Sequence, residues 1–340
     1  MIITTCKESI SVMNKICKTQ NPARKVVLVT AIGTMNCTTI IGELKKSPDN
    51  FYIIGADINE AYCIANSREV DEFYRFPSVI DDRNSYVDFV KTFCFEHNVD
   101  YLYCVVDEEV ESLALRRAEF ENIGTKLCLA NTEVIVLCHN KDKFAEWSEK
   151  EIPQFCIKRF PKFDTITRMD FPLFIKPVEG RASIGCKKIS TYDELESYQD
   201  KWSKYIVEEF VSGDIVAVDI VRSRRTKQIG IAQRLELLRN SNGCGTAVKI
   251  VDIPEVKKAC EAIAEKLDLE GVINAEFFLT ENGPKIIEVN PRLPAGIAYS
   301  CMAGLNVVKY AMRIANNEPC VFNPVKIGKH YAKRYETYET

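Results

Sequence analysis

Near its C-terminal end the chain reads KIIEVNPRL, Lys285 to Leu293, with Glu288, Asn290 and Arg292 on alternate residues of an apolar run. Alternate residues of a strand share a face, so a carboxylate, a carboxamide and a guanidinium stand in one row. The preceding run, VINAEFFL, carries Glu276, and ENG lies between the two runs. A three-residue loop with Gly283 left-handed sets Thr280 against Pro284 and brings Glu276 directly opposite Glu288. Carboxylates facing each other across a ladder repel unless a cation lies between them. Glu276, Glu288 and Asn290 therefore make an oxygen set suited to Mg2+, as one or two ions with Mn2+ an admissible substitute, completed by water and phosphate oxygens. The alternative is a solvated face whose acids keep the strand soluble, and a two-residue turn would shift the register by one.

A cation held by so few carboxylates works with substrate phosphates, so phosphate-binding groups are expected elsewhere. The segment FIKPVEGRASIG offers Lys176 as a point charge, then Gly180, Ser183 and Gly185 in a small-residue loop whose backbone N–H groups suit phosphate oxygens. An ordinary hairpin turn explains that loop equally well. In YIVEEFVSGD, Glu208 or Glu209 is placed to accept from an exocyclic amine while backbone groups meet a purine edge; an edge strand entering a turn is the plainer reading. Arg234 and Arg239 are candidates for two-pronged binding of a substrate carboxylate, with solvated surface arginines as the alternative. Asp107 ends the fourth strand of the N-terminal domain, where α/β sheets place ligands, and it is equally suited to cap the next helix.

The elements that must position these residues fall into two patterns. Residues 1–24 form an apolar-periodic helical arm before Pro22. From Lys25 to about residue 137, continuous apolar strands such as KVVLV, FYIIGAD and DYLYCVV alternate with amphipathic helices, the signature of a Rossmann-like parallel sheet covered on both faces. A subdomain over 138–207 and another over 208–340 are α+β, built from strand pairs and isolated helices. The tail KRYETYET is polar and expected to fray. The first turn, VTAIGTMNCTT, supplies only Gly33 where dinucleotide binding requires Gly-x-Gly-x-x-Gly, which argues against an NAD-dependent oxidoreductase. Asp57, closing the second strand, reads as a turn residue rather than a ribose ligand.

Composition bounds the remaining classes. The 340 residues are 46% hydrophobic, enough for a large core and more than one domain, and the formal net charge of -3 carries no basic surplus for nucleic acid. No run approaches the roughly 18 apolar residues of a membrane helix, so a cytoplasmic protein is expected. The 14 cysteines are scattered without a Cys-x-x-Cys pair, which favours free thiols, and the three histidines are far apart.

Taken in order, NKDKF, FIKPVEGRASIG, YIVEEFVSGD, GVINAEFF and IIEVNPR resemble the ATP-grasp superfamily, and within it the carbamoyl-phosphate-synthase large-chain-like carboxylate–amine ligases. The resemblance covers roughly residues 25–315 and implies a pre-ATP-grasp domain followed by an ATP-grasp fold of two α+β subdomains. It implies that Lys143 and Lys176 hold ATP phosphates, that Glu179 to Gly185 form a lid, and that Glu208, beside Glu209, accepts the adenine amine with the Phe210 backbone completing purine recognition. Glu276, Glu288 and Asn290 take the role of Mg2+ ligands and Arg292 that of a cation on the transferred phosphoryl group. Two positions depart from the family pattern: Ile215 stands where a ribose-binding acid is common, with Asp214 as its substitute, and the lid has Arg181 and Ala182 in place of glycines. The implied reaction activates a small carboxylate as an acyl phosphate and joins it to an amine, forming ADP, with a homodimer left open. A regulatory ATP-binding module is the rival from another class. A bicarbonate-using carboxylase is the rival within the ligases, although no Met-Lys biotin-attachment motif is present, and the chain is too short for both halves of a carbamoyl-phosphate synthase.

Overall fold

The computed structural model describes residues 24–178, 185–241, 243–337 and 339–340. The expected helical arm and the lid residues Glu179, Gly180 and Ser183 lie outside them.

Five strands, β1 (Val26–Val29), β2 (Tyr52–Asp57), β3 (Glu72–Arg75), β4 (Tyr101–Tyr103) and β5 (Lys126–Leu127), form a parallel sheet in the order β3-β2-β1-β4-β5. The period of two decides its packing. Val27 and Val29 join one apolar cluster with Ile40 and Ile41 of the helix Met35–Lys45, whereas Leu28 joins the other with Val90 and Phe93 of the helix Arg83–Glu96. Both faces are thus covered, as a continuous apolar strand requires. β3 lies in the polar segment between FYIIGAD and the next helix; it is an edge strand whose residues stay partly exposed, so no apolar run announces it. Asp57 behaves as the turn reading expects: its carboxylate accepts from Gly33 N (2.9 Å) and Asn59 N (3.0 Å), tying the ends of β1 and β2 together.

β6 (Leu173–Pro177), β7 (Lys187–Ile189) and β8 (Tyr205–Glu209) form a small antiparallel sheet ordered β7-β6-β8. The largest sheet joins β9 (Asp214–Ser223), β10 (Gln228–Arg239), β11 (Gly245–Val251), β12 (Gly271–Thr280), β13 (Gly283–Asn290) and β14 (His330–Ala332) in the order β13-β12-β9-β10-β11-β14. On one face Val216, Val218, Ile273, Ala275 and Phe277 pack against Val256, Ala259, Cys260 and Ile263 of the helix Pro254–Lys266. Pro254 is pre-set for the first helical turn. Fully burying a side chain such as Ile263 stabilises by about 1.5–3 kcal/mol, so Ile263→Ala, which also leaves a cavity, should cost about 2–5 kcal/mol. With this face closed by apolar side chains, the polar residues of the same strands are displayed on the other.

The tail departs from the expected fraying at its start. β14 pairs with β11, Ala247 against Ala332 and Lys249 against His330, and Lys333 N continues the ladder to Thr246 O at 2.8 Å. Short polar strands like β14 are held by the edge they join rather than by their own pattern.

Candidate active site

The β12–β13 hairpin sets the acidic row by a route the sequence did not disclose. Gly283 has the expected positive φ (94°), but Thr280 pairs with Gly283 and Leu279 with Pro284, one residue away from the three-residue-loop register. A β-bulge restores the alignment: Phe277 pairs with Ile286 and Glu276 with Glu288, leaving Ile287 as the extra residue. Asn290 pairs with Asn274 two positions further on, and its Nδ2 donates to Glu288 Oε1 at 3.1 Å. Burial, and then the charge of Glu288, raise the Glu276 carboxyl to about 7, while Arg239 pulls it down through a 3.0 Å ion pair.

Arg292 reaches across the molecule. Its Nε donates to Asp107 Oδ1 at 2.6 Å and its Nη2 to Asp107 Oδ2 at 3.3 Å. Burial works against the guanidinium charge, but Asp107 and Glu288 more than offset it and raise its pKa. Asp107 is the first residue of the helix Asp107–Leu115, whose N-cap is Val106, so it orients Arg292 and does not cap.

The expected Arg234–Arg239 fork does not form. Arg234 is a core residue, 2% exposed, and its Nη1 and Nη2 are taken by Asp219 (2.5 and 3.1 Å) and its Nη1 also by Ser300 Oγ (2.7 Å). Arg239 turns to the acidic row instead, with Nε 2.8 Å from Glu236 and Nη2 on Glu276. Arg234 is buried and Arg239 stays exposed, but both guanidiniums are engaged by carboxylates of the chain and neither is free to share one carboxylate with the other.

In the small sheet, Lys176 Nζ lies 2.9 Å from Glu208 Oε1, both side chains largely buried. Phe174 pairs with Glu208, so Lys176 reaches it diagonally, while the alternation of the strand sends Glu209 to the opposite side, where its carboxylate accepts from Lys158 N at 3.3 Å. Phe210 N donates to Pro172 O (3.1 Å), and Lys188 lies 4.2 Å from the Phe210 ring centre. Asp214 is exposed at the start of β9. The hinge before it is fixed by Gly213, where a Cβ would stand 2.1 Å from Leu279 O. Lys143 is exposed on the helix Lys141–Glu151, its backbone N–H capped by Asn140 Oδ1 at 3.0 Å. Gly185 has φ 80°.

Cys186 feels charges from both the small sheet and the acidic row. Burial raises this thiol's pKa; Lys141 and Lys176 oppose the rise, and Glu288 and Glu208 add to it. The lysines of the small sheet and its preceding helix therefore share one electrostatic neighbourhood with the acidic row. Lys141, Glu236, Asp219 and Cys186 were not singled out from the sequence. Glu236 had a legible signal, since it alternates with Arg234 on one strand; the others had none.

The donor set fits a hard cation that is completed by its substrate. Among the described residues no three or more His, Cys, Asp or Glu side chains are grouped to hold a metal alone. Two facing carboxylates and the Asn290 amide oxygen supply only part of a six-coordinate shell, which leaves the rest to water and phosphate oxygens.

A parallel N-terminal sheet followed by a small antiparallel sheet and a large one bearing this row is an ATP-grasp fold, and two family models match parts of the chain. Residues 201–336 match the family described as ATP-grasp in the biosynthetic pathway with Ter operon, and residues 27–129 match the PylC-like N-terminal domain. The 3-methyl-D-ornithine–L-lysine ligase of Methanosarcina mazei is 23% identical over 149 residues, 43% of this chain and 38% of that protein. The chain thus spans well under half the length of that relative. The biotin carboxylase domain of Hydrogenobacter thermophilus 2-oxoglutarate carboxylase, solved with MgADP, ADP and bicarbonate, superposes with a TM-score of 0.72 at 15% identity over 91% of this chain and 74% of that one. An L-amino acid ligase from Bacillus licheniformis superposes with a TM-score of 0.64 at 16% identity over 87% and 74%. No helix among the described residues is long and apolar enough to cross a membrane.

Proposed function

We propose that the chain is an ATP-dependent, ADP-forming ligase that activates a small carboxylate as an acyl phosphate and joins it to an amine. The observation that carries this reading is the facing pair Glu276 and Glu288 beside Asn290, with the Glu288 charge acting on Arg292 and Lys176–Glu208 sharing their electrostatic neighbourhood. The ligase names of the Methanosarcina and Bacillus relatives support it.

Lys176 and Glu208, adjacent at 2.9 Å, meet the nucleotide together: the ammonium turns to phosphate oxygens, and the carboxylate accepts from the adenine amine, with Phe210 backbone atoms beside the purine edge. Lys143 and the lid segment Glu179–Gly185, through the Gly180 and Ser183 region, close over the phosphates; Asp214 is the candidate for the ribose. Glu276, Glu288 and the Asn290 amide oxygen would hold Mg2+, which when bound supplies positive charge to the phosphate oxygens. Arg292, aimed by Asp107, lies against the phosphoryl group as it moves from ATP to the substrate carboxylate oxygen. The P–O bond to ADP breaks as the new one forms. The amine then attacks the acyl carbon, phosphate leaves with the bonding pair, and the amine gives up a proton.

The test is phosphate and ADP release across a matrix of amino acids, amines and small carboxylic acids, bicarbonate included, with ATP and Mg2+. Release must need both an acid and an amine and must vanish in Glu288→Gln. ATP binding without release in any combination would instead indicate a regulatory module.

A further inference from the structure

The C-terminal strand sets a lysine against the segment that follows Arg292, and the charge balance there is incomplete. Lys333, one residue past β14, sends Nζ to Ala295 O at 2.9 Å, with Met35 Sδ at 3.9 Å and the Tyr299 ring centre at 5.7 Å. Tyr299 is itself pinned by its hydroxyl to Gly245 O (3.2 Å) and Thr246 O (3.1 Å), so the wall around the ammonium is rigid. The neighbouring cations are all matched: Arg292 by Asp107, Arg234 by Asp219, and Arg239 by Glu236 and Glu276. Among the described residues the partners of Lys333 are a neutral carbonyl, a thioether and the face of the Tyr299 ring. Burial, with Arg234 adding to it, holds this ammonium below the usual lysine range, while Cys244 and Glu236 oppose the shift. A half-buried ammonium without a carboxylate at hydrogen-bond distance is costly unless an anion joins it. Ala295 lies three residues after Arg292, and Glu236, whose charge reaches Lys333, shares Arg239 with Glu276 of the acidic row.

We propose that Lys333 is a specificity-determining residue that binds a carboxylate carried by one of the two substrates, distinct from the carboxylate that is phosphorylated. The assignment rests on the ligase reading above. A charge-assisted hydrogen bond of this kind is worth on the order of tenfold to a hundredfold in discrimination. Two sources share the chemistry. The anion is either the α-carboxylate of an amino-acid nucleophile or the second carboxylate of a diacid.

The experiment measures kcat/KM for ADP release with matched pairs: L-amino acids against their carboxamides in the amine arm, and dicarboxylates such as succinate and glutarate against their half-amides in the acid arm. Wild-type protein is expected to prefer the anionic member by at least about tenfold in one arm. Lys333→Gln should erase that preference with KM for ATP unchanged, and Lys333→Arg should keep most of it. Equal losses for both members of every pair, or an undiminished preference in Lys333→Gln, overturn the assignment while leaving the ligase reading intact. No ADP release by wild type with any pair, or release that survives Glu288→Gln, overturns the ligase reading and this inference with it.

Discussion

Glu276 and Glu288 face each other across β12 and β13 because Ile287 is an extra residue in the second strand. Without that bulge the turn would set Ile287 against Glu276 and turn Glu288 to the apolar side of the sheet. The pair is a repulsive one in the metal-free protein, held by the sheet and partly neutralised by Arg239.

Removing one of the two charges should therefore separate stability from activity. Glu288→Gln is expected to lower ADP release by at least about a hundredfold, to raise the melting temperature of the metal-free protein slightly, and to remove the stabilisation that Mg2+ with ADP gives wild type. Thermal melts with and without Mg2+ and ADP, beside steady-state rates, check all three. A variant that melts lower than wild type without metal contradicts the repulsion argument.

The pH dependence has a definite sign. The Glu276 carboxyl is raised to about 7, above the ordinary value, so its folded form prefers the proton and the metal-free protein loses stability as pH rises from the ordinary carboxylate range to about 7. Metal binding runs the other way. Below about pH 7 a proton must leave Glu276 when the cation binds, and affinity should fall about tenfold per pH unit. Calorimetry of Mg2+ with ADP in buffers of different ionisation heat should show close to one proton released at pH 6 and far less at pH 8.

Asp107 acts through Arg292. Asp107→Asn removes the charge but keeps the shape, so kcat should fall about ten- to a hundredfold with KM for ATP little changed. Arg292→Lys should not substitute, since an ammonium cannot make the two-point contact. A change confined to KM for ATP would place the pair outside the phosphoryl-transfer step.

Arg234 and Asp219 form a buried pair braced by Ser300 and Asn274, and breaking it from one side leaves a bare charge in the core. Arg234→Met should cost about 3–5 kcal/mol in chemical denaturation, and Arg234→Met with Asp219→Leu should recover a large part of it. Recovery of activity alongside stability would show that the pair serves packing; stability without activity would show that it positions the adjacent Gly296 segment.

The sequence alone determined the class of each layer and the identity of the acidic row. Strand alternation in Val27–Leu28–Val29 fixes a sheet covered on two faces, and alternate spacing fixes Glu288 and Asn290 as a set, because both follow from local backbone periodicity. Tertiary structure decided the partners. Arg292 finds Asp107 at a separation of 185 residues, Lys333 finds Ala295 through an edge strand with no apolar pattern, and Arg234 is buried against Asp219 rather than offered to a substrate. It also decided the register, since a turn and a bulge each displace the ladder by one residue and only their sum sets Glu276 against Glu288. Periodicity constrains which face a residue takes; which charge it meets there depends on how distant segments pack, and no local pattern encodes that.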